Sequence, residues 1–293
     1  MRRKYAVIWN PSAGKQQKDR LDIVRNLLTN AGADFIVSET NPGKLPAACA
    51  GQAIQEGCDA LIGCGGDGTL NEIGSVVYKH PHAVLGIVPS GSGNDIARSH
   101  QLPLDTRAAT ERILADQMRE VDCGFANEHF FMNIASIGFD AEVVHHKTTL
   151  PGFVPPSLGY RLSVLLLMLS YKEMGMRIHL NEEVIERPTL LCAVGIGRYY
   201  GGGIEILGNA VVDDGLFDTC MIQKVSIPQR LVLLPALGKG DHLDKFSTVR
   251  YDRVEEIHIQ TDRPTWLNID GELIPDVKEA RFTLHHKGMR LLG

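Results

Sequence analysis

Three short stretches, "NPSAGK" (10–15), "GGDGTLNE" (65–72) and "PSGSGND" (89–95), combine glycines with carboxylates and hydroxyls at spacings suited to chemistry on phosphate. Glycines let backbone amides approach a ligand closely, and a helix start behind them favours an anion. The acids pose the question. Asp67 and Asp95 would repel a triphosphate unless a cation lay between them. Mg²⁺, held by a few carboxylates, waters and phosphate oxygens, resolves that conflict, and Asp122 in "REVDCG" can join the set. Each has a plainer reading. Thr69 followed by Glu72 is a capping-box pattern, Asp95 complements a helix N-terminus, and Asp122 suits a solvated turn. Asp270 and Glu272 in "NIDGELI" lie two residues apart. On a continuous strand they face one side and push one pKa upward; in a hairpin turn they are two solvated acids. "VVDDGLFD" is an Asp-Gly turn whose oxygens also suit a hard cation.

These residues need elements to position them. Up to about residue 120 the chain alternates near-continuous apolar runs ("YAVIWN", "DALIGCG", "AVLGIVP") with helix-like segments, which predicts a parallel sheet covered on both faces. Helices are expected over Lys18–Asn30, Leu45–Glu56 and Thr69–Tyr78, and all three corners then lie at carboxyl ends of parallel strands, where open α/β sheets bind ligands. From about Val121, period-two alternation in "GMRIHLN", "VEEIHIQT" and "EARFTLHH" predicts an antiparallel sandwich or flattened barrel. The expected domains are 1–121 and 122–293, the last strand being available to return to the first domain. Leu158–Met174 reads as a helix within the second, and "RLVLLPALG" (230–238) as a further apolar stretch.

Composition narrows the function classes. A net charge of −5 in 293 residues leaves no footprint for nucleic acid. Six cysteines without CxxC spacing read as buried reduced thiols. No apolar run has the length of a signal-peptide core or a spanning helix, so the expectation is a cytoplasmic protein. Gly63 to Gly68 formally matches GxGxxG, but no acid follows at the distance a ribose needs; "NPSAGKQ" lacks the first glycine and the hydroxyl of a P-loop.

With these corners in order, and with "YYGGGIEILGNAVVDDGLFD" and "NIDGE" after them, the whole chain closely resembles the diacylglycerol kinase catalytic-domain family, which includes bacterial lipid kinases and sphingosine kinases. Three positions depart from its pattern. Ser92 stands where threonine is common, Gly208 where proline is common, and "GIGRYY" lacks a frequent Asn-Gly pair.

The resemblance implies an α/β N-terminal domain of the NAD kinase/phosphofructokinase kind and a mainly antiparallel β-sandwich C-terminal domain, with nucleotide in the cleft between them. It implies ATP- and Mg²⁺-dependent phosphorylation of a lipid hydroxyl, of diacylglycerol or a related alcohol, at the membrane surface. Carried over by motif, ATP contacts fall on Asn10, Pro11, Ser12, Ala13, Gly14, Thr40, Gly65, Gly66, Asp67, Gly68, Thr69, Leu70, Asn71, Glu72, Ser92 and Asn94. Asp67, Asp95 and Asp122 would form an Asp–water–Mg²⁺ network. Asp214, with the carbonyls of Val211 and Leu216, would hold a second, structural Mg²⁺. The general base belongs to "NIDGE", giving a catalytic set of Asp270, Glu272 and Asp67 in which either hairpin acid can take the proton. Expected partners are a lipid and the membrane surface, bound peripherally, without nucleic acid; a homodimer is compatible. A kinase of a soluble alcohol and a nucleotide sensor without catalysis are the alternatives.

Overall fold

Residues 3–14, 17–151, 154, 156–238 and 240–293 are described by the computed structural model; Lys15, the last residue of the first corner, lies outside them. β3 (Ala60–Gly65) and β4 (Val84–Pro89) are buried at every position, and β1 (Lys4–Trp9) from Tyr5 onward. Their continuous apolar runs are explained by cover on both faces. With β2 (Asp34–Glu39) they pair in the order β2-β1-β3-β4, every pairing parallel. One face packs under α2 (Pro46–Gln55), α3 (Asp67–Tyr78) and the short α4 (Asp95–Ser99), through Ala50, Leu70, Ile73 and Ile96. The other packs under α1 (Gln17–Asn30) and α5 (Thr106–Leu114), through Val24, Leu28 and Ile113.

The second half opens with β5 (Met118–Ala126), β6 (His129–Phe131) and β7 (Ile134–Gly138). Two helices follow, α6 (Phe139–Thr149) and α7 (Pro156–Ser170). The helix expected over Leu158–Met174 is therefore real but shorter, because Met174 opens β8 (Met174–Leu180) with its side chain in the sandwich core. After β9 (Glu183–Gly195) and β10 (Phe217–Gln223) come α8 (Ile227–Leu237), α9 (His242–Lys245) and β11 (Val249–Val254). Two long strands finish the chain, β12 (Glu256–Ile269) and β13 (Glu272–Leu292). β9 and β12 each pair with β8 along their first part and with β7 along their last, all antiparallel. This wraps the sheet around Ile137, Val194, Phe217, Leu267 and Phe282.

The two halves share one continuous sheet, because β13 belongs to both. It pairs antiparallel with β12 and β5, and its final residues Leu291 and Leu292 pair parallel with Leu85 and Gly86 of β4. The register against β5 shifts between His285 and Met289, where Lys287 takes a left-handed φ of 52°. That irregularity re-aims the strand from one half to the other. All six cysteines are free and buried, as their apolar settings suggested.

Gly138, between β7 and α6, has φ 118°, and a Cβ there would stand 2.5 Å from the Leu190 carbonyl oxygen. Gly138→Ala is expected to cost about 3 kcal/mol from strain and clash. Gly51 lies inside α2, where an added Cβ meets nothing within 4 Å, and Gly51→Ala should gain about 0.5–1 kcal/mol. Denaturant midpoints of the two variants, moving in opposite directions, check the pair.

Candidate active site

The three glycine corners meet at the carboxyl ends of β1, β3 and β4. Asn10 ties the first to the second. Its Nδ2 donates to Thr69 Oγ1 at 2.9 Å, while its Oδ1 accepts from the Ser12 amide at 3.0 Å. The second and third corners touch backbone to backbone, and a Cβ on Gly91 would lie 2.6 Å from Gly66 Cα. Asn94, left-handed at φ 57°, closes the third corner by accepting from the Gly91 amide at 2.8 Å. α3 starts at Asp67, two residues earlier than the sequence suggested, with Gly66 as an N-cap lacking any side-chain cap bond. The capping-box reading of Thr69 and Glu72 fails accordingly. Thr69 faces Asn10, and Glu72 Oε2 accepts from the Ala47 amide at 3.2 Å in the first turn of α2.

Two carboxylates converge here. Asp67 Oδ1 accepts from the Ile96 amide at 3.0 Å, and a Cβ at Gly93 would stand 3.0 Å from Asp67 Oδ2 and 3.2 Å from Asp95 Oδ2. Asp95 is buried; Oδ2 accepts from the Gly202 amide at 2.8 Å, and Oδ1 has no hydrogen-bond partner. Burial pushes its pKa up and the Asp67 charge adds to that, against the amides of Gly202 and Gly203 and the Arg98 cation.

Asp270 arrives from the second half. Asp270 and Gly271 have φ of 48° and 93°, and Ile269 pairs with Glu272, which makes a two-residue type I′ hairpin. Asn268 braces it, its Oδ1 accepting from the Gly271 amide at 3.1 Å and its Nδ2 donating to Ser136 Oγ at 3.2 Å. The Asp270 carboxylate accepts from the Ile134 amide at 2.8 Å and the Met132 amide at 3.0 Å. Burial nevertheless lifts its pKa to about 7; the amides oppose the rise, and the Asp67 charge adds to it. The strand therefore turns at Asp270-Gly271 instead of continuing. The period-two spacing that would put Asp270 and Glu272 on one face is broken by this turn, and Glu272, paired with Ile269, is exposed.

The other expected contacts divide by exposure. Ser12, Gly14, Gly68 and Ser92 are exposed, while Pro11 and Ala13 are half-buried at the same rim. Thr40 is buried at the end of β2, its amide donating to the Trp9 carbonyl at 2.9 Å. Gly65 is backbone support, its carbonyl accepting from the Ser90 amide at 2.9 Å. Leu70 packs in the core, and Asn71 Nδ2 donates to the Phe130 carbonyl at 3.2 Å. These last two position the corner and face away from it.

Asp122 is placed elsewhere. Its Oδ2 accepts from the Gly215 amide at 2.7 Å; its Oδ1 accepts from the Lys287 amide at 2.7 Å and lies 2.9 Å from His286 Nδ1. The fully buried acid thus pins the β13 irregularity to the turn carrying Asp214, so the expected grouping with Asp67 and Asp95 gives way to an anchoring role. In that turn Asp214 Oδ1 accepts from the Leu216 amide at 3.2 Å, and Oδ2 pairs with Arg253. A structural Mg²⁺ at Val211, Asp214 and Leu216 would take the place of this guanidinium, whose side chain is partly exposed.

Among the described residues, no group of three or more His, Cys, Asp or Glu side chains forms a ready-made metal cage. Asp67 and the unpartnered Oδ1 of Asp95 do suit a Mg²⁺ that completes its shell with phosphate and water. The sequence reading missed Arg98, an exposed cation whose Nε donates to the Gly93 carbonyl at 3.3 Å. It also missed the left-handed run Gly201–Gly203 that reaches Asp95; three consecutive glycines were the available signal.

Comparison with known proteins agrees with this geometry. Residues 4–126 match the diacylglycerol kinase catalytic domain, and residues 133–290 match the YegS C-terminal NAD kinase beta sandwich-like domain. A diacylglycerol kinase of Staphylococcus carnosus is 29% identical over 275 residues, 93% of this chain and 89% of the relative. One from Staphylococcus saprophyticus is 28% identical over 274 residues, 93% and 90% of the two chains. A crystal structure of a diacylglycerol kinase from Bacillus anthracis shares the fold, with a TM-score of 0.75 at 22% identity over 99% of this chain and 96% of that one. Two domain matches that together run almost end to end, on a chain whose three corners meet beside a half-buried hairpin acid, settle its relationship: it belongs to the diacylglycerol kinase catalytic-domain family.

Proposed function

We propose that this protein is an ATP- and Mg²⁺-dependent lipid kinase that phosphorylates the hydroxyl of diacylglycerol or a related lipid alcohol at a membrane surface. The observation that carries the proposal is the Asp270 carboxyl, held by the Met132 and Ile134 amides with its pKa near 7, in the field of Asp67. A carboxylate poised near working pH is matched to general-base catalysis. In the proposed step Asp270 takes the acceptor hydroxyl proton as that oxygen attacks the terminal phosphorus, the bond from that phosphorus to the bridging oxygen breaks, and ADP leaves. Asp67 and Asp95 would hold Mg²⁺, which supplies charge neutralisation for the phosphates. The glycine corners supply close-approaching backbone, and Arg98 supplies a cation at their rim. The relatives named as diacylglycerol kinases support the acceptor class at moderate identity.

Transfer of labelled γ-phosphate to a panel of lipid alcohols in mixed micelles tests the reading. Asp270→Asn should lower transfer by about 10³-fold while the Kd for nucleotide stays within about twofold, since no phosphate contact is removed. Comparable losses in both quantities would remove Asp270 from the base role.

The raised pKa sets a sign for pH dependence. A base works only when deprotonated, so kcat/KM should rise with pH through an apparent midpoint near 7 and level off above it. A flat profile between pH 5.5 and 8.5 contradicts the assignment.

Asp67→Asn or Asp95→Asn should raise the Mg²⁺ concentration needed for half-maximal nucleotide binding at least ~10-fold. Calorimetric titrations at stepped Mg²⁺ measure this. An unchanged requirement places the metal elsewhere.

A further inference from the structure

Asp140 is a carboxylate with no part in the proposed step. It is buried, and so are Ser136 and Asn268, the two side chains that continue from it. Gly138, at φ 118°, turns β7 sharply into α6 and brings Asp140 back against Ser136, four residues earlier. Asp140 Oδ2 accepts from the Ser136 hydroxyl, and Oδ1 has no hydrogen-bond partner. An acid in the first turn of a helix complements the helix dipole, which accounts for one at the surface. This one is buried deeply enough that desolvation pushes its pKa up, against the Ser136 hydroxyl and the Ala141 amide. Titratable groups that feel its charge, Cys192 of β9, Tyr160 and Tyr171 of α7, and Tyr200, are all kept protonated chiefly by burial. Such a group is costly to keep and calls for a use.

Its use lies in direction. Ser136 and Asn268 are register partners on β7 and β12, and Asn268 Nδ2 donates to Ser136 Oγ at 3.2 Å. A hydroxyl carries one proton. With that proton given to Asp140, Ser136 offers Asn268 only lone pairs, so Asn268 turns Nδ2 toward it. Oδ1 is left facing the hairpin, where it accepts from the Gly271 amide at 3.1 Å. Reversed, the same side chain would set Nδ2 against the Gly271 N–H, donor against donor. The residue next to Gly271 is Asp270, whose carboxylate rests on the Met132 and Ile134 amides.

We propose that Asp140 is a positioning residue for phosphoryl transfer, fixing through Ser136 and Asn268 the hairpin that presents Asp270; this rests on the lipid-kinase reading. A misplacement of about 1 Å in a reacting group can cost roughly 100-fold in rate. The chain Asp140–Ser136–Asn268 holds the turn against such a drift from behind, leaving the side of Asp270 that meets the acceptor free.

Kinase assays test it together with an NMR titration of the Asp270 carboxyl, on protein labelled with carbon-13 at its aspartate carboxyls and assigned with Asp270→Asn. Asp140→Asn and Ser136→Ala should each lower kcat at least ~10-fold. The acceptor KM and the nucleotide Kd should stay within about twofold. The Asp270 midpoint, near 7 in the wild type, should rise by at least about half a pH unit in both, because a loosened hairpin weakens the amide bonds that oppose the rise. Loss of the Asp140 charge by itself would move that midpoint down. The double variant Asp140→Asn/Asn268→Asp keeps the net charge and runs the chain in reverse. The amide at position 140 then donates to Ser136, Ser136 donates to the carboxylate at 268, and that carboxylate still accepts from Gly271. On the alkaline plateau it should be at least ~5-fold faster than Asp140→Asn. Asn268→Asp alone sets two carboxylates against one hydroxyl proton and should be as slow as Asp140→Asn. If Asp140→Asn does not fold, Ser136→Ala, which leaves the charge in place, carries the same readouts. A raised acceptor KM at unchanged kcat overturns the inference, making Asp140 a contact to the acceptor. A double variant no faster than either single one, or a midpoint that falls, overturns it as well. If the wild type labels no lipid, the kinase reading falls, and the Asp270 midpoint alone decides the role of Asp140.

Discussion

Like charges held close together and partly shielded from water are the constraint this molecule is built around. Asp67 and Asp95 flank one point at the edge of the parallel sheet, and Asp270 enters their field from the other half. Such a cluster is costly unless something positive faces it. The chain's answer is backbone: amides of Ile96, Gly202, Met132 and Ile134 each donate to one of the three carboxylates. Peptide dipoles stabilise an acid without filling the space in front of it. The remaining oxygen of Asp95 stays without a hydrogen-bond partner.

Those amides come from both halves, so the halves must be held in register with each other. β13 does this by pairing with β12 and β5 and then with β4. Its irregularity at residues 285–289 is stabilised by Asp122, a buried acid whose two oxygens are shared among Gly215, His286 and Lys287. Removing one partner of a buried hydrogen-bonded charge leaves the rest uncompensated. Asp122 thus sets the path of the strand that links the two halves.

The parts that could be read from sequence are those fixed by local rules. β3 and β4 show as unbroken apolar runs because both faces are covered, and the corners after them show as glycines because backbone meets backbone at Gly66 and Gly91. The hairpin acids were harder. Counting with period two from Asp270 to Glu272 assumes a straight strand, yet Asp-Gly is itself a turn signal, and the turn wins because Asn268 and Ser136 brace it. The setting of Asp270 was not readable, since its donors Met132 and Ile134 lie 138 and 136 residues away in the chain. The same holds for Asp122, whose partners sit 93, 164 and 165 residues downstream. α7 appeared as a helix, but which of its leucines would stay uncovered depends on packing that no local pattern reports.

The placement of β13 also bears on how the protein comes into being. Leu291 and Leu292 complete the edge of a sheet whose other strands are made of the first 89 residues. On the ribosome, the α/β half must wait with β4 unpaired on that side until the sandwich has been synthesised. Pairings that span nearly the whole chain close slowly, and an open apolar strand edge is exposed to misassembly in the meantime. Nascent protein therefore completes this sheet edge last, in the same event that joins its two halves, and a chain that stops short of β13 leaves β4 open.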